Sequence, residues 1–105
     1  MNVYIDPVVD SFIKEFYNDA MRRHITLDEP TVIAKVKRLY SAVRHDLSFF
    51  PFAYNLARYK KNWIESGYRD FPTENFHFAF RVYEDEDGEK FVVVHDACYD
   101  KDYHD

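Results

Sequence analysis

Glycine is nearly absent from this chain: 105 residues contain two, Gly67 and Gly88. A loop that cradles phosphate needs several glycines at fixed spacing, and neither G-x-G-x-x-G nor G-x-x-x-x-G-K occurs, so the nucleotide-binding fingerprints are excluded. Cysteine is rarer still, and the single Cys98 cannot close an intramolecular disulfide. No apolar run approaches the ~20 residues that cross a bilayer, so no membrane role is expected. Asp6 and Asp10 interrupt the N-terminal apolar residues before they read as a secretory signal, and the expected compartment is cytoplasmic. What the chain has in abundance is aromatic: ten Phe and nine Tyr within a hydrophobic fraction of 47%. That content supports one folded core, and the length allows a single domain over 1–105.

Charge is unevenly placed. The formal net charge is −5, yet from Glu84 to the end nine acids face only Lys90 and Lys101. Most of the basic residues lie between Arg22 and Arg69, where a polyanion would be attracted, and it would be repelled from the last twenty residues. The same Lys and Arg read more simply as the wet faces of helices, since interspersed charge is the normal surface of a folded domain.

Periodicity predicts the elements. Alternation in "NVYID" predicts a strand over 2–6. From Pro7, Val8, Val9, Phe12, Ile13, Phe16, Tyr17, Ala20 and Met21 recur at helical spacing, with Asp6 placed to cap, which predicts a helix over 8–23. "HITLDEP" reads as a turn. Asp28 and Pro30 then open a second helix over 30–46 with Val32, Ile33, Val36, Leu39, Tyr40, Val43 and Leu47 inward, and Pro51 in "SFFPF" breaks it. Residues 53–66 read most nearly as a short helix, with Gly67 where a C-cap would want it. "YRDFPTEN" reads as a turn-rich connection.

The Asp-Gly of "DEDG" predicts a hairpin of 76–84 with 89–99, followed by an acidic tail over 100–105. A two-residue turn would set Val82 opposite Val93, Phe80 opposite His95 and Phe78 opposite Ala97, and a four-residue turn would leave the faces unchanged. One face would carry Phe76, Phe78, Phe80, Val82, Phe91, Val93, His95 and Ala97 against the helices. The other would carry His77, Ala79, Arg81, Tyr83, Val92, Val94, Asp96 and Cys98. The expected fold is therefore α+β, with an N-terminal strand and two or three helices on one face of a small antiparallel sheet that ends in the C-terminal hairpin.

The element order, "FRVY" at Phe80 to Tyr83 and the closing "VVVHDACYDKDYHD" resemble the RelE/ParE superfamily of bacterial toxin–antitoxin toxins. That resemblance implies a sheet face that holds mRNA on the ribosome, metal-independent attack of a ribose 2′-OH on the next phosphate, and a cognate antitoxin-like protein as partner. Carried onto this chain, the resemblance finds counterparts only in Arg81 and a terminal Tyr99, Tyr103 or His104; for a ribonuclease, Arg81 would stabilise the phosphate, with His77 or His104 as base or acid and Tyr103 in support. The family usually ends in Arg or Lys, whereas this chain has Asp96, Asp100, Asp102 and Asp105. An acidic end repels the phosphates that supply most nucleic-acid affinity, which disfavours RNA and the ribosome as partners.

Each candidate also has a structural reading. Arg81 can bind an anion or pair across the strands with Asp96. His77 can be a general base or a hydrogen-bonded structural residue. Arg58, Lys60 and Lys61, interleaved with Tyr59, Trp63 and Tyr68, can hold nucleic acid by stacking, or the rings can cover the end of the sheet. His95, Asp96, Cys98 and His104 lack the spacing of a zinc motif, so no metal and no cofactor is expected. Cys98 has no basic neighbour in sequence to activate it. Two functions follow: a RelE/ParE-like protein, active as an endoribonuclease or degenerate, and alternatively a non-enzymatic module that takes up a segment of a protein partner.

Overall fold

The computed structural model describes residues 1–23 and 28–104. Its elements are β1 (Asn2–Ile5), α1 (Pro7–Arg23), α2 (Glu29–Phe49), a 3-10 turn (Pro51–Ala53), α3 (Lys61–Glu65), β2 (Arg69–Thr73), β3 (Phe76–Glu84), β4 (Lys90–Tyr99) and α4 (Asp100–Tyr103). The fold is α+β: one four-stranded sheet in the order β1-β4-β3-β2, antiparallel except that β1 runs parallel to β4. The turn expected at "HITLDEP" and the last residue of the expected tail, Asp105, lie in part outside the described residues. Among those described, no helix is long and apolar enough to cross a membrane.

Local chemistry sets the helix boundaries. The Asp6 carboxylate accepts from the Val8 amide at 2.9 Å, and Pro7 occupies the first helical position, where its missing N–H is not needed. Asp28 caps α2 by accepting from the Thr31 amide at 3.0 Å and from the Thr31 hydroxyl. Those bonds, the hydroxyl first, hold the Asp28 carboxyl below its ordinary range. Helix α2 continues to Phe49, three residues beyond the expected 46. A proline restricts only the residue before it, and Phe50 is the first to leave the helical region, at φ −133° and ψ 49°.

Both long helices lie on one sheet face. Val9 and Ile13 of α1, with Leu39, Val43 and Leu47 of α2, pack against Phe71, Phe76, Phe78, Phe80, Val92 and Val94. Each such side chain contributes about 1.5–3 kcal/mol of transfer free energy when fully buried.

Two stretches between helix and hairpin differ from expectation. Residues 69–73 form strand β2, joined to β3 by a two-residue turn in which Glu74 and Asn75 take φ of 52° and 70°. That is the positive-φ pair a type I′ hairpin needs, supplied without glycine. Pro72 is tolerated because β2 is an edge strand. Of the helix expected over 53–66, Ala53 ends the preceding 3-10 turn and only Lys61–Glu65 is α-helical. It does end at Gly67, as expected: Gly67 N donates to Ile64 O and Tyr68 N to Trp63 O, both at 3.1 Å, the Schellman pattern with glycine at φ 71°.

The hairpin register is the third difference. Phe78 faces Ala97 as expected, but Phe80 faces Val94 and Val82 faces Val92. Asp85 N bonds Glu89 O at 2.8 Å, closing a three-residue loop with Gly88 at φ 80°. An odd loop slips the pairing by one residue, and a bulge at His95, opposite the Ala79/Phe80 step, restores it. The slip sends Val92 and Val94 to the helix face and turns Phe91, Val93 and His95 away from it, the reverse of the expected assignment. Within the expected acidic tail, Asp100–Tyr103 is a helical turn that buries Tyr103.

Candidate functional site

The sheet face away from the long helices is partly roofed. Segment 54–68 and α4 fold over it and bury a second cluster of Ala57, Trp63, Ala79, Cys98 and Tyr103, with Tyr68 at its margin. Backbone bonds hold the segment against β2: Asp70 N to Asn55 O and Ala57 N to Tyr68 O, each 2.9 Å. Trp63 Nε1 donates to Asp96 Oδ2 at 2.8 Å, while Asp96 Oδ1 accepts from the Ala97 amide at 2.9 Å. Asp96 therefore serves the indole and not Arg81, and the expected Arg81–Asp96 pair is absent among the described residues.

His77 lies at the centre of the roofed end. Its Nδ1 is 2.8 Å from Asp70 Oδ1 and its Nε2 is 2.7 Å from Asp100 Oδ1, so a residue of β3 joins β2 to α4. Both bonds are made together when each ring nitrogen carries a hydrogen. Tyr103 stacks on the imidazole at 4.0 Å, and its Oη accepts from the Arg58 amide at 3.1 Å. His104 lies 6.4 Å from His77 and 4.5 Å from the ring of Tyr59. Three expected site residues, His77, Tyr103 and His104, thus meet. A general base needs an unoccupied ring nitrogen, and His77 has none.

Arg81 stands apart. Four residues along the same strand place it about 13 Å from His77. It is exposed, with Nη1 a long 3.4 Å from Ser66 O and its guanidinium 5.6 Å from the Tyr83 ring. Beside it, Tyr83 Oη and His95 Nε2 share a 2.8 Å hydrogen bond, and Tyr68 stacks on His95 at 4.9 Å. Burial lowers the His95 pKa; Asp6 opposes that shift and Arg81 reinforces it. His95 was assigned to the core from the unbulged register, and nothing in the residues around 95 announces the bulge.

In the basic segment the tryptophan is withdrawn from solvent. Trp63 is fully buried, Lys60 Nζ sits 5.8 Å from its ring, and Lys61 pairs with Glu65 at 3.8 Å. Arg58 and Tyr59 border a cleft of about 300 Å³ with Asp70 and Tyr103. Trp63 and, in part, Tyr68 cover the sheet, whereas Tyr59 is exposed beside Tyr103 and His104. Cys98 is buried, and desolvation pushes its thiol up to about 12 although Lys60 pulls the other way. Among the described residues no group of three or more His, Cys, Asp or Glu side chains is arranged to hold a metal ion.

A different surface stands out where α2 ends. Phe49, Phe50, Phe52 and Leu56 are each more than half exposed. The rings of Phe49 and Phe50 are 6.3 Å apart, and the Phe52 ring carries Arg69 at 5.4 Å and Lys90 at 5.6 Å. The helix stripe turns inward through Leu47, which leaves the aromatic residues after it outside the core. Consecutive exposed aromatics mark an interaction surface more often than isolated ones do. The signal in the sequence was "SFFPF", four apolar residues of five beyond the last core position of α2.

Scanned against protein-family models, the chain matches none, and a search of curated proteins finds no significant match.

Proposed function

We propose that this chain is a RelE/ParE-like toxin–antitoxin protein of the catalytically degenerate kind, acting as a binding module for a cognate antitoxin-like partner and not as a nuclease. The observation that carries the reading is the aromatic corner of Phe49, Phe50, Phe52 and Leu56, an apolar surface with cations resting on it. A partner segment with apolar anchors and neighbouring carboxylates complements it. The roofed sheet face supports the same reading: α4 covers the His77 end, and both His77 nitrogens are occupied by carboxylates. The element order of strand, two helices and antiparallel strands agrees with the family resemblance, which speaks to fold and leaves function to the site.

The nuclease reading draws on one observation, the meeting of His77, Tyr103 and His104 beside Arg58. Arg81 does not join them, and the carboxylates of Asp70 and Asp100 occupy His77 where phosphate would have to approach. Co-purification of the chain with the product of the gene beside its own tests the binding reading. A stable complex that survives Arg81→Ala and is lost in Phe50→Ser/Phe52→Ser is the expected result. A complex indifferent to the corner substitutions, or none at all, overturns it.

A further inference from the structure

Between the end of α1, the first turns of α2, the end of β4 and α4 lies a cavity of about 600 Å³, lined by none of the residues of the aromatic corner and not by His77. Its size falls within the ~300–1,000 Å³ of small-ligand sites. Its floor is apolar: Ala20 and Val32 are buried, and Phe16 and Tyr99 are half-buried beside them. Its rim is cationic, with Arg23, Lys35, Arg38 and Lys101 against the carboxylates of Asp19 and Asp102. In a chain of net charge −5, that local surplus of positive charge is unusual.

Those cations are largely uncommitted. Arg38 pairs with Glu74 at 3.2 Å, but Lys35 rests over the rings of Phe16 and Phe76 at 5.7 and 5.6 Å, and Lys101 over Tyr99 at 5.7 Å. Among the described residues neither lysine meets a carboxylate. An ammonium held against an aromatic wall at the mouth of an apolar cavity can turn toward an incoming anion and keep its stem packed.

We propose that this cavity binds an amphipathic organic carboxylate, its apolar body lying along Phe16, Val32 and Tyr99 and its carboxylate held by Lys35 and Lys101. The two lining carboxylates favour a monoanion over a phosphate of higher charge. Decanoate is the probe, followed by amide chemical shifts, with decanol and decyltrimethylammonium as controls. Saturable shifts at Ala20, Val32 and Tyr99 with decanoate are expected, at least tenfold weaker with decanol and none with the cation. Lys35→Glu and Lys101→Ala, each with an otherwise unchanged spectrum, weaken decanoate binding at least tenfold and about threefold, and Phe52→Ser leaves it intact. Equal binding of decanol and decanoate, shifts centred elsewhere, or wild-type affinity in both lysine variants overturns the assignment. These readouts are independent of partner binding at the aromatic corner.

Discussion

Tyr103 lies flat against His77, with ring centroids 4.0 Å apart and planes inclined by 13°. The two residues sit 26 positions apart in sequence, one on β3 and one in the last described turn, so the stack fastens the end of the chain to the sheet. The acidic end is therefore part of the fold. Tyr103 is 4% exposed. Tyr103→Ala is expected to cost about 3 kcal/mol. Tyr103→Phe keeps the stack, loses the bond from the Arg58 amide, and is expected to cost about 1 kcal/mol. Urea midpoints at unchanged slope measure both, and an alanine variant as stable as the parent contradicts the fastening.

The two carboxylates on His77 differ in burial: the Asp70 side chain is 16% exposed and that of Asp100 58%. Water screens the outer pair, whereas breaking the inner one leaves a nearly buried group unpaired. Double-mutant cycles with His77→Ala should give a coupling of about 1–3 kcal/mol for Asp70 and under about 1 kcal/mol for Asp100. A larger coupling at Asp100 would reverse this ordering.

Trp63 is the single tryptophan, fully buried, with its indole N–H on Asp96. Its fluorescence should be blue-shifted and resistant to iodide. Asp96→Ala should cost about 1–3 kcal/mol by orphaning the indole donor, and Arg81→Ala should leave the emission unchanged. Emission at the wavelength of free tryptophan would show the roof open.

Stability should fall at both ends of the pH scale. The His95 pKa is lowered from 6.5 by burial, so below 6.5 the unfolded chain takes up this proton more readily, and the stability His95 contributes is lost as pH falls through its folded value. Cys98 is raised from 9.0, and Tyr40 from 10.0, each to about 12 by burial, with the Asp10 carboxylate assisting at Tyr40. Their contribution is complete below 9 and 10 respectively and is lost as pH rises through about 12. Urea midpoints at pH 7.5, 9.5 and 10.5 should decline in that order, and less steeply in Cys98→Ala. A flat profile from 9 to 11 contradicts the burial of these groups.

The parts of the fold legible in the sequence are those written in strong local codes. Apolar spacing marked α1 and α2, Asp6 and Asp28 marked their caps, and Gly67 marked the end of α3. Strand β2 was missed because its turn uses Glu74 and Asn75 at positive φ without glycine, and because Pro72 normally argues against a strand. The loop between β3 and β4 was visible in Asp87-Gly88, but its odd length was not, and one residue of slip exchanged the faces of Val92, Val93, Val94 and His95. Among the site residues, His77, Tyr103 and His104 were named and do converge. Asp70 was missed with its strand, and Arg81 was grouped with residues that pairing geometry places elsewhere.

Growth of cells expressing the intact chain, compared with Arg81→Ala and with mRNA cleavage followed in the same cultures, tests the central claim most directly. With the His77 end roofed by α4 and Arg81 standing alone, both proteins should leave growth and mRNA intact. Arrest with transcript cleavage by the intact chain, abolished in Arg81→Ala, would contradict the account and establish a nuclease.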